Sequence, residues 1–284
     1  MKKNKVIFIV LIPELLTLSL RRFLFLKHVL RFVQKRENPE GGFTLYEGIP
    51  DTKNTYYGLK ILHMLDEEPK NKENTIKWLE NLQEGRQYGT RGIFYRINIL
   101  DSFKRNPNFP KKYVNRFLER FRTSNLEIVY LMTNVLGIVG IELPEYITEC
   151  ALSFQKEDGG FGRYRSDIMS TYYALETLNL INQDSINSPD KTIDFTQSCQ
   201  TDEGIFAYTP LSYPPYIESI YAGIRIYEIL NYPLSHWSNR DEVINFVLKL
   251  QNADDGFRRS YFIGISELEY VYRALYILKS LEYF

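Results

Sequence analysis

The groups that could do chemistry are unevenly supplied in this chain of 284 residues. Histidine occurs three times, as His28, His63 and His236, and cysteine twice, as Cys150 and Cys199. Two thiols exclude a disulfide scaffold and any zinc site made mainly of thiolates. Cys199 has no histidine beside it in the sequence pattern that would make it a nucleophile, so it reads as a core or surface thiol. Rings are abundant instead. With 22 Tyr, 18 Phe and two Trp they form 15% of the chain, which calls for large buried or pocket-lining surfaces and for partners to the tyrosine hydroxyls. Arg163, Arg165, Arg258 and Arg259 form two close pairs, able to hold an anion or to stay solvated. Glu267 and Glu269 either bind a divalent cation or favour the start of a helix.

The elements that must position these groups repeat. Asp51-Thr-Lys-Asn-Thr-Tyr-Tyr-Gly-Leu-Lys-Ile-Leu62 aligns without a gap with Asp167-Ile-Met-Ser-Thr-Tyr-Tyr-Ala-Leu-Glu-Thr-Leu178. A third copy runs from Glu267 to Leu278, and a weaker fourth starts at Tyr216. Upstream, Gln155 to Phe161, Gln200 to Phe206 and Gln251 to Phe257 keep Gln and Phe six apart, and a longer version runs from Gln34 to Phe43. Each unit reads as one helix ending at the Gln, an acid-Gly-Gly stop, a Phe that folds back as an apolar plug, and a second helix opened by an acid. Positive φ at the stop predicts that Gly160→Val damages folding.

Two further hairpins, around Thr75–Phe103 and Tyr113–Ile141, lack the full pattern. Strand patterns are absent. The expectation is an all-α (α/α)6 toroid of six hairpins in a single domain over 1–284. Its repeats fall near 24–66, 75–103, 113–141, 146–182, 191–231 and 241–284, after an N-terminal apolar and basic segment, 1–23. Both terminal repeats are apolar, so closure of the last onto the first hides them, with the second helix of each pair innermost. The inner helices carry Tyr56, Tyr57, Tyr172, Tyr173, Tyr221, Tyr270, Tyr272 and Tyr276.

Gln-x-x-Asp-Gly-Gly-Phe followed by Asp-x-x-Ser-Thr-x-Tyr-Ala-Leu resembles the repeat of the protein prenyltransferase β subunits and the squalene and terpene cyclases. Phe rather than Trp after the glycines, at Phe43, Phe161, Phe206 and Phe257, leans towards the prenyltransferase branch. That resemblance implies a cavity holding an isoprenoid chain against rings, a diphosphate at a basic rim, a catalytic zinc, and a separate helical α-subunit-like partner. The zinc-ligand positions hold Tyr216, Glu218 and Tyr270, or in the preceding pair Asp167, Met169 and Ser219, so the motif supports neither zinc nor another cofactor. The acid of the cyclase Asp-x-Asp-Asp motif is replaced by Asn54, Ser170, Ser219 and Tyr270, and Asn252–Asp255 belongs to a turn. No Asp-Asp-x-x-Asp clamp supports magnesium.

What remains is a binding chamber for an apolar small molecule such as a prenyl diphosphate. The candidate ligand-binding residues are Tyr57, Tyr173, Tyr221, Tyr270, Tyr272, Arg163, Arg165, Arg258 and Arg259. The alternative is a catalytically inactive toroid serving as an interaction scaffold or lipid carrier. A sugar-processing α/α barrel ranks third, since only Trp78 and Trp237 could form platforms. Thirty-five basic and 35 acidic residues give no overall pull towards nucleic acid. Val6–Ile12 is too short to span a bilayer. Leu15 to Gln34 reads as a basic helix, either a core helix with a solvated face or one that lies on an anionic membrane. The expected location is cytoplasmic, with peripheral membrane contact through that helix.

Overall fold

The computed structural model describes residues 20–82, 89–107, 109, 111–121, 124–262 and 264–284. The run Val6–Ile12 and the expected helix start at Leu15 lie outside these residues. Twelve helices are described: α1 (residues 20–34), α2 (Thr52–Met64), α3 (Lys72–Asn81), α4 (Thr90–Ser102), α5 (Lys111–Arg120), α6 (Leu126–Ile138), α7 (Tyr146–Leu152), α8 (Ile168–Ile181), α9 (Pro189–Ser198), α10 (Ile217–Ile229), α11 (Arg240–Leu248) and α12 (Leu268–Ser280). Among the described residues there is no strand, only isolated β-bridges.

The even-numbered helices form the inner wall. α2 packs on α4, α4 on α6, α6 on α8, α8 on α10 and α10 on α12, and α12 packs back on α2. The last hairpin therefore closes on the first, as the apolar terminal repeats require. The fold is an all-α toroid of six helical hairpins.

The turns explain the repeated motif. Phe43, Phe161, Phe206 and Phe257 are fully buried. Burial of each such ring contributes about 1.5–3 kcal/mol. Phe43 and Phe206 lie on the glycine that is the seventh residue of their inner helix: a Cβ on Gly58 would stand 2.7 Å from the Phe43 ring, and one on Gly223 2.4 Å from that of Phe206. The recurring Thr holds the plug in place. Thr55 and Thr171 accept from the backbone N–H of Phe43 and Phe161 at 2.9 Å, and donate to the carbonyls of Asp51 and Asp167.

Antiparallel bridges join Gln155 to Phe161, Gln200 to Phe206 and Gln251 to Phe257, and in the first unit Glu37 to Phe43. The first copy is therefore no longer than the others. Glu37, not Gln34, stands at the Gln position, because a bridge uses backbone groups and tolerates either side chain. The side chain has its own task, since Glu37 accepts from the N–H of Asn71 just before α3, while Gln155 donates to the carbonyl of Asn187 just before α9.

Gly160 does not have positive φ. The left-handed position is Gly159, with φ of 85°. A Cβ there would lie 2.4 Å from the backbone of Lys191 in α9, so this glycine also lets the turn touch the next outer helix. Gly160 is constrained by crowding, with Ser166 and the Phe195 ring 2.6–2.7 Å from a Cβ. The last turn makes the corresponding contact with the first outer helix. Asp255 has φ of 70° and meets His28 of α1 at 3.2 Å, and a Cβ on Gly256 would strike the Phe32 ring. Asp51 and Asp167 cap their inner helices, accepting from the N–H of Asn54 and Ser170. Glu267 makes no side-chain cap and pairs with Lys53 instead.

Candidate functional site

One register places the inner-wall side chains. Counting from the residue that precedes each inner helix (Asp51, Gly89, Asn125, Asp167, Tyr216 and Glu267), the fifth following residue is Tyr56, Phe94, Tyr130, Tyr172, Tyr221 or Tyr272. All six are aromatic. They face a cavity of about 410 Å³ on the axis of the ring. The next residue of most helices joins them, adding Tyr57, Tyr95, Leu131, Tyr173 and Arg273. One turn nearer the helix starts, Lys53, Arg91, Glu127 and Glu269 complete the wall. The volume falls within the range of small-molecule sites.

The rings touch round the axis. Tyr57 meets Tyr272 at 5.7 Å between centroids, Tyr272 meets Tyr221 at 6.1 Å, Tyr221 meets Tyr172 at 5.7 Å, and Tyr130 meets Tyr173 at 5.8 Å. Burial pushes the phenols of Tyr57, Tyr130 and Tyr172 well above their ordinary value, so they remain neutral hydroxyls.

The ninth residue of each inner helix is polar: Lys60, Asn98, Asn134, Glu176, Arg225 and Tyr276. Asn98 donates to Asn134 at 2.8 Å, and Arg225 donates to Glu176 at 2.8 Å and to the Tyr276 hydroxyl at 2.7 Å. Tyr276 in turn donates to Glu228. Burial raises the Glu176 carboxyl, partly offset by Arg225. This layer follows the tyrosine belt along the inner helices as a polar floor in which Glu176 is buried, Lys60 is exposed and the others are half-buried, and a hydrocarbon pushed through it would meet polar groups.

The mouth is ionic. Arg91 makes a two-pronged pair with Glu127 at 2.7 and 2.6 Å. Lys53 bridges Glu267 at 3.1 Å and Glu269 at 2.7 Å. Glu269 also accepts from Arg273 at 2.5 Å and from the Tyr57 hydroxyl at 3.3 Å. Burial by itself would raise the Glu269 carboxyl, but Arg273 and Lys53 outweigh it and hold the group below its usual range. Arg273 is almost fully buried and lies over the Tyr221 ring, yet its Nη1 is buried with no hydrogen-bond partner among the described residues.

Of the residues expected to bind a ligand, Tyr57, Tyr173, Tyr221 and Tyr272 line this cavity. Tyr270 does not, since it projects from another face of α12, with its phenol pushed up to about 12 by burial and Glu267. The four arginines also stand off the wall. Arg163 and Arg165 are exposed on the loop before α8. Arg258 lies over Tyr261 and donates to the Lys249 carbonyl. Arg259 is held by Glu218 at 2.6 Å and lies over Tyr216. Arg259 reaches sideways to Glu218 of the neighbouring repeat, a contact that helical periodicity does not encode. The cations on the wall are Lys53, Arg91 and Arg273. Arg273 occupies the position of Tyr57 and Tyr173 in its own repeat, and extending that register to Gly89 and Asn125 would have found Arg91 and Glu127. Cys199 is buried and its thiol is pushed up to about 12 by desolvation, which leaves it inert.

The family described as Prenyltransferase alpha-alpha toroid domain matches residues 9–89 and 164–284. The chain belongs to this family. Among solved structures it is similar to the Candida albicans protein geranylgeranyltransferase-I complexed with GGPP, with a TM-score of 0.48 and 14% identity over 90% of this chain and 77% of that one. No curated protein matches the chain.

The family resemblance implies a zinc ion, and the residues do not fit it. At the ligand positions Tyr216 opens α10, Glu218 is occupied by Arg259, and Tyr270 offers a phenol. Among the described residues no group of three or more His, Cys, Asp or Glu could hold a metal ion.

Proposed function

We propose that the toroid binds an isoprenoid diphosphate, or an amphiphile of similar chemistry, in its axial cavity. The tyrosine belt takes the apolar tail, and Lys53, Arg91 and Arg273 take the anionic head. The observation that carries this reading is Arg273, a nearly buried guanidinium on an aromatic wall with one nitrogen lacking a hydrogen-bond partner among the described residues. Buried donors are normally satisfied, and an anion beside Nη1 would satisfy this one with a charge-assisted bond. The head must compete with Glu127 and Glu269 for the same cations, so removing the Glu127 carboxylate from Arg91 should strengthen binding. The polar floor favours a tail that coils among the rings rather than one that threads the barrel.

Titration calorimetry with geranyl, farnesyl and geranylgeranyl diphosphate tests this. The expected result is saturable binding of at least one, weakened by the double change Tyr173→Ala and Tyr272→Ala with folding preserved. Absence of heat with all three overturns the reading. A second reading is an inactive toroid acting as a scaffold or carrier, and the unfitted zinc positions favour it over zinc-dependent transfer. Turnover of a prenyl diphosphate with zinc or magnesium would eliminate it. The helical partner that the resemblance implies belongs to either reading, and capture of a stable second subunit on co-expression would test it.

A further inference from the structure

The described part of α1 has two unlike faces. Val29, Phe32 and Val33 are buried, and Phe25 packs edge-on against Phe257 and Tyr283. The opposite face exposes Leu20, Phe23 and Leu24, at 57%, 61% and 44%. Arg21, Lys27, Arg31 and Lys35 are exposed beside and beyond them. The sequence from Leu15 to Arg36 holds no Asp or Glu. The carboxylates that reach this helix from the last turn meet His28 and Arg36, at 3.2 and 3.6 Å. Among the described residues none of the four exposed cations has an ion pair. At the same end of the barrel the C-terminal Tyr283 and Phe284 pack on Phe25 and stay half-exposed, and Arg22 lies over Tyr283.

An exposed Leu-Phe-Leu strip is costly in water. Beside a one-signed row of cations it matches one environment, in which hydrocarbon lies just beneath a layer of negative charge. From this juxtaposition we infer that the outer face of α1 docks on an anionic lipid surface. Leu20, Phe23 and Leu24 enter the headgroup boundary while Lys27, Arg31, Arg21 and Lys35 pair with lipid phosphates. Among the described residues no helix is long and apolar enough to cross a membrane, and on this inference α1 lies along the surface. The tightly folded barrel stays outside the lipid. This inference is independent of what the axial cavity holds.

The test is co-sedimentation of the full chain with vesicles of phosphatidylcholine alone and of equal parts phosphatidylcholine and phosphatidylglycerol. The expected result is binding to the anionic vesicles only, falling as salt is raised. Lys27→Glu with Arg31→Glu should weaken it by more than about tenfold. Phe23→Ser with Leu24→Ser should weaken it severalfold. Lys191→Glu with Lys249→Glu, the same charge change elsewhere on the surface, should leave it intact. All these positions are exposed, and matching melting curves separate loss of binding from loss of fold. Failure to bind either vesicle overturns the inference, as does equal binding to both or indifference to the charge reversal. Concentration-dependent self-association that Phe23→Ser abolishes, with no lipid binding, overturns it in favour of a second copy on this face.

Discussion

The ring contains two kinds of hairpin. Those built on α1/α2, α7/α8, α9/α10 and α11/α12 carry the Gly-turn-Phe motif, clamped by Thr55, Thr171 and Ser219 in the first three, while the last has Val271 at the Thr position. Those built on α3/α4 and α5/α6 do not carry the full motif, and the span the family match leaves out, 90–163, holds α4 to α7. Yet α4 and α6 pack into the inner wall as the others do. Their apolar residues form a second core around Phe94, Phe117, Phe121, Met132 and Leu136. They also keep the wall register, with an aromatic at the fifth position and an asparagine at the ninth. Closing the ring therefore needs only inner helices in register with an apolar back. The motif serves a narrower purpose, letting a turn and its Phe press against the next outer helix. The chemistry of the chamber draws on both kinds, since Arg91 and Glu127 come from the degenerate hairpins while Lys53, Glu269 and Arg273 come from the motif-bearing ones.

Five substitutions sharpen that contrast. The largest effect is expected from Gly159→Val, which combines left-handed φ with a Cβ 2.4 Å from the Lys191 backbone. It should cost about 3–5 kcal/mol in urea unfolding, or abolish folding. Next is Glu269→Gln, which strands Arg273 in a buried site and should cost about 3 kcal/mol. The corresponding change across the cavity, Glu127→Gln, should cost at most about 1 kcal/mol because Arg91 is 63% exposed.

The same pair predicts a pH effect. The Glu269 carboxyl is depressed in the folded chain, so its contribution is present above the unfolded value near pH 4.5 and is lost as pH falls through the lower folded value. Stability measured below pH 4.5 should fall more steeply in the wild type than in Glu269→Gln, and equal slopes would count against the ion pair. Thr171→Val, which removes the clamp on Phe161, should cost about 1–3 kcal/mol. The smallest effect is a gain. Gly137→Ala in α6 meets nothing within 4 Å and should stabilise by about 0.5–1 kcal/mol, since no turn or neighbour depends on that glycine.

The repeats, the helical hairpins and the closed ring were legible in the sequence because period and turn chemistry are local. So were the caps at Asp51 and Asp167 and the cavity tyrosines Tyr57, Tyr173, Tyr221 and Tyr272, which follow from position on an inner helix. The ionic mouth was not. Lys53 meets Glu267 and Glu269 across 214 and 216 positions of chain, a pairing that exists only after closure. Arg163 and Arg165 looked like rim residues because they precede an inner helix, but their loop leaves them exposed at its edge. The turn glycines were misassigned by one residue for a similar reason, since Gly159 and Gly160 read alike in sequence and only the approach of α9 distinguishes them.

The central claim is that the axial chamber is the binding site. The most direct test is photo-crosslinking of the full chain with a farnesyl diphosphate analogue carrying a diazirine in its tail, followed by peptide mapping. Labelling is expected only in the peptides containing Tyr57, Tyr173 and Tyr272, and unlabelled farnesyl diphosphate should suppress it. Labelling instead in a second, surface groove lined by Tyr213, Phe246, Tyr261 and Phe262, or none that competitor suppresses, would contradict it.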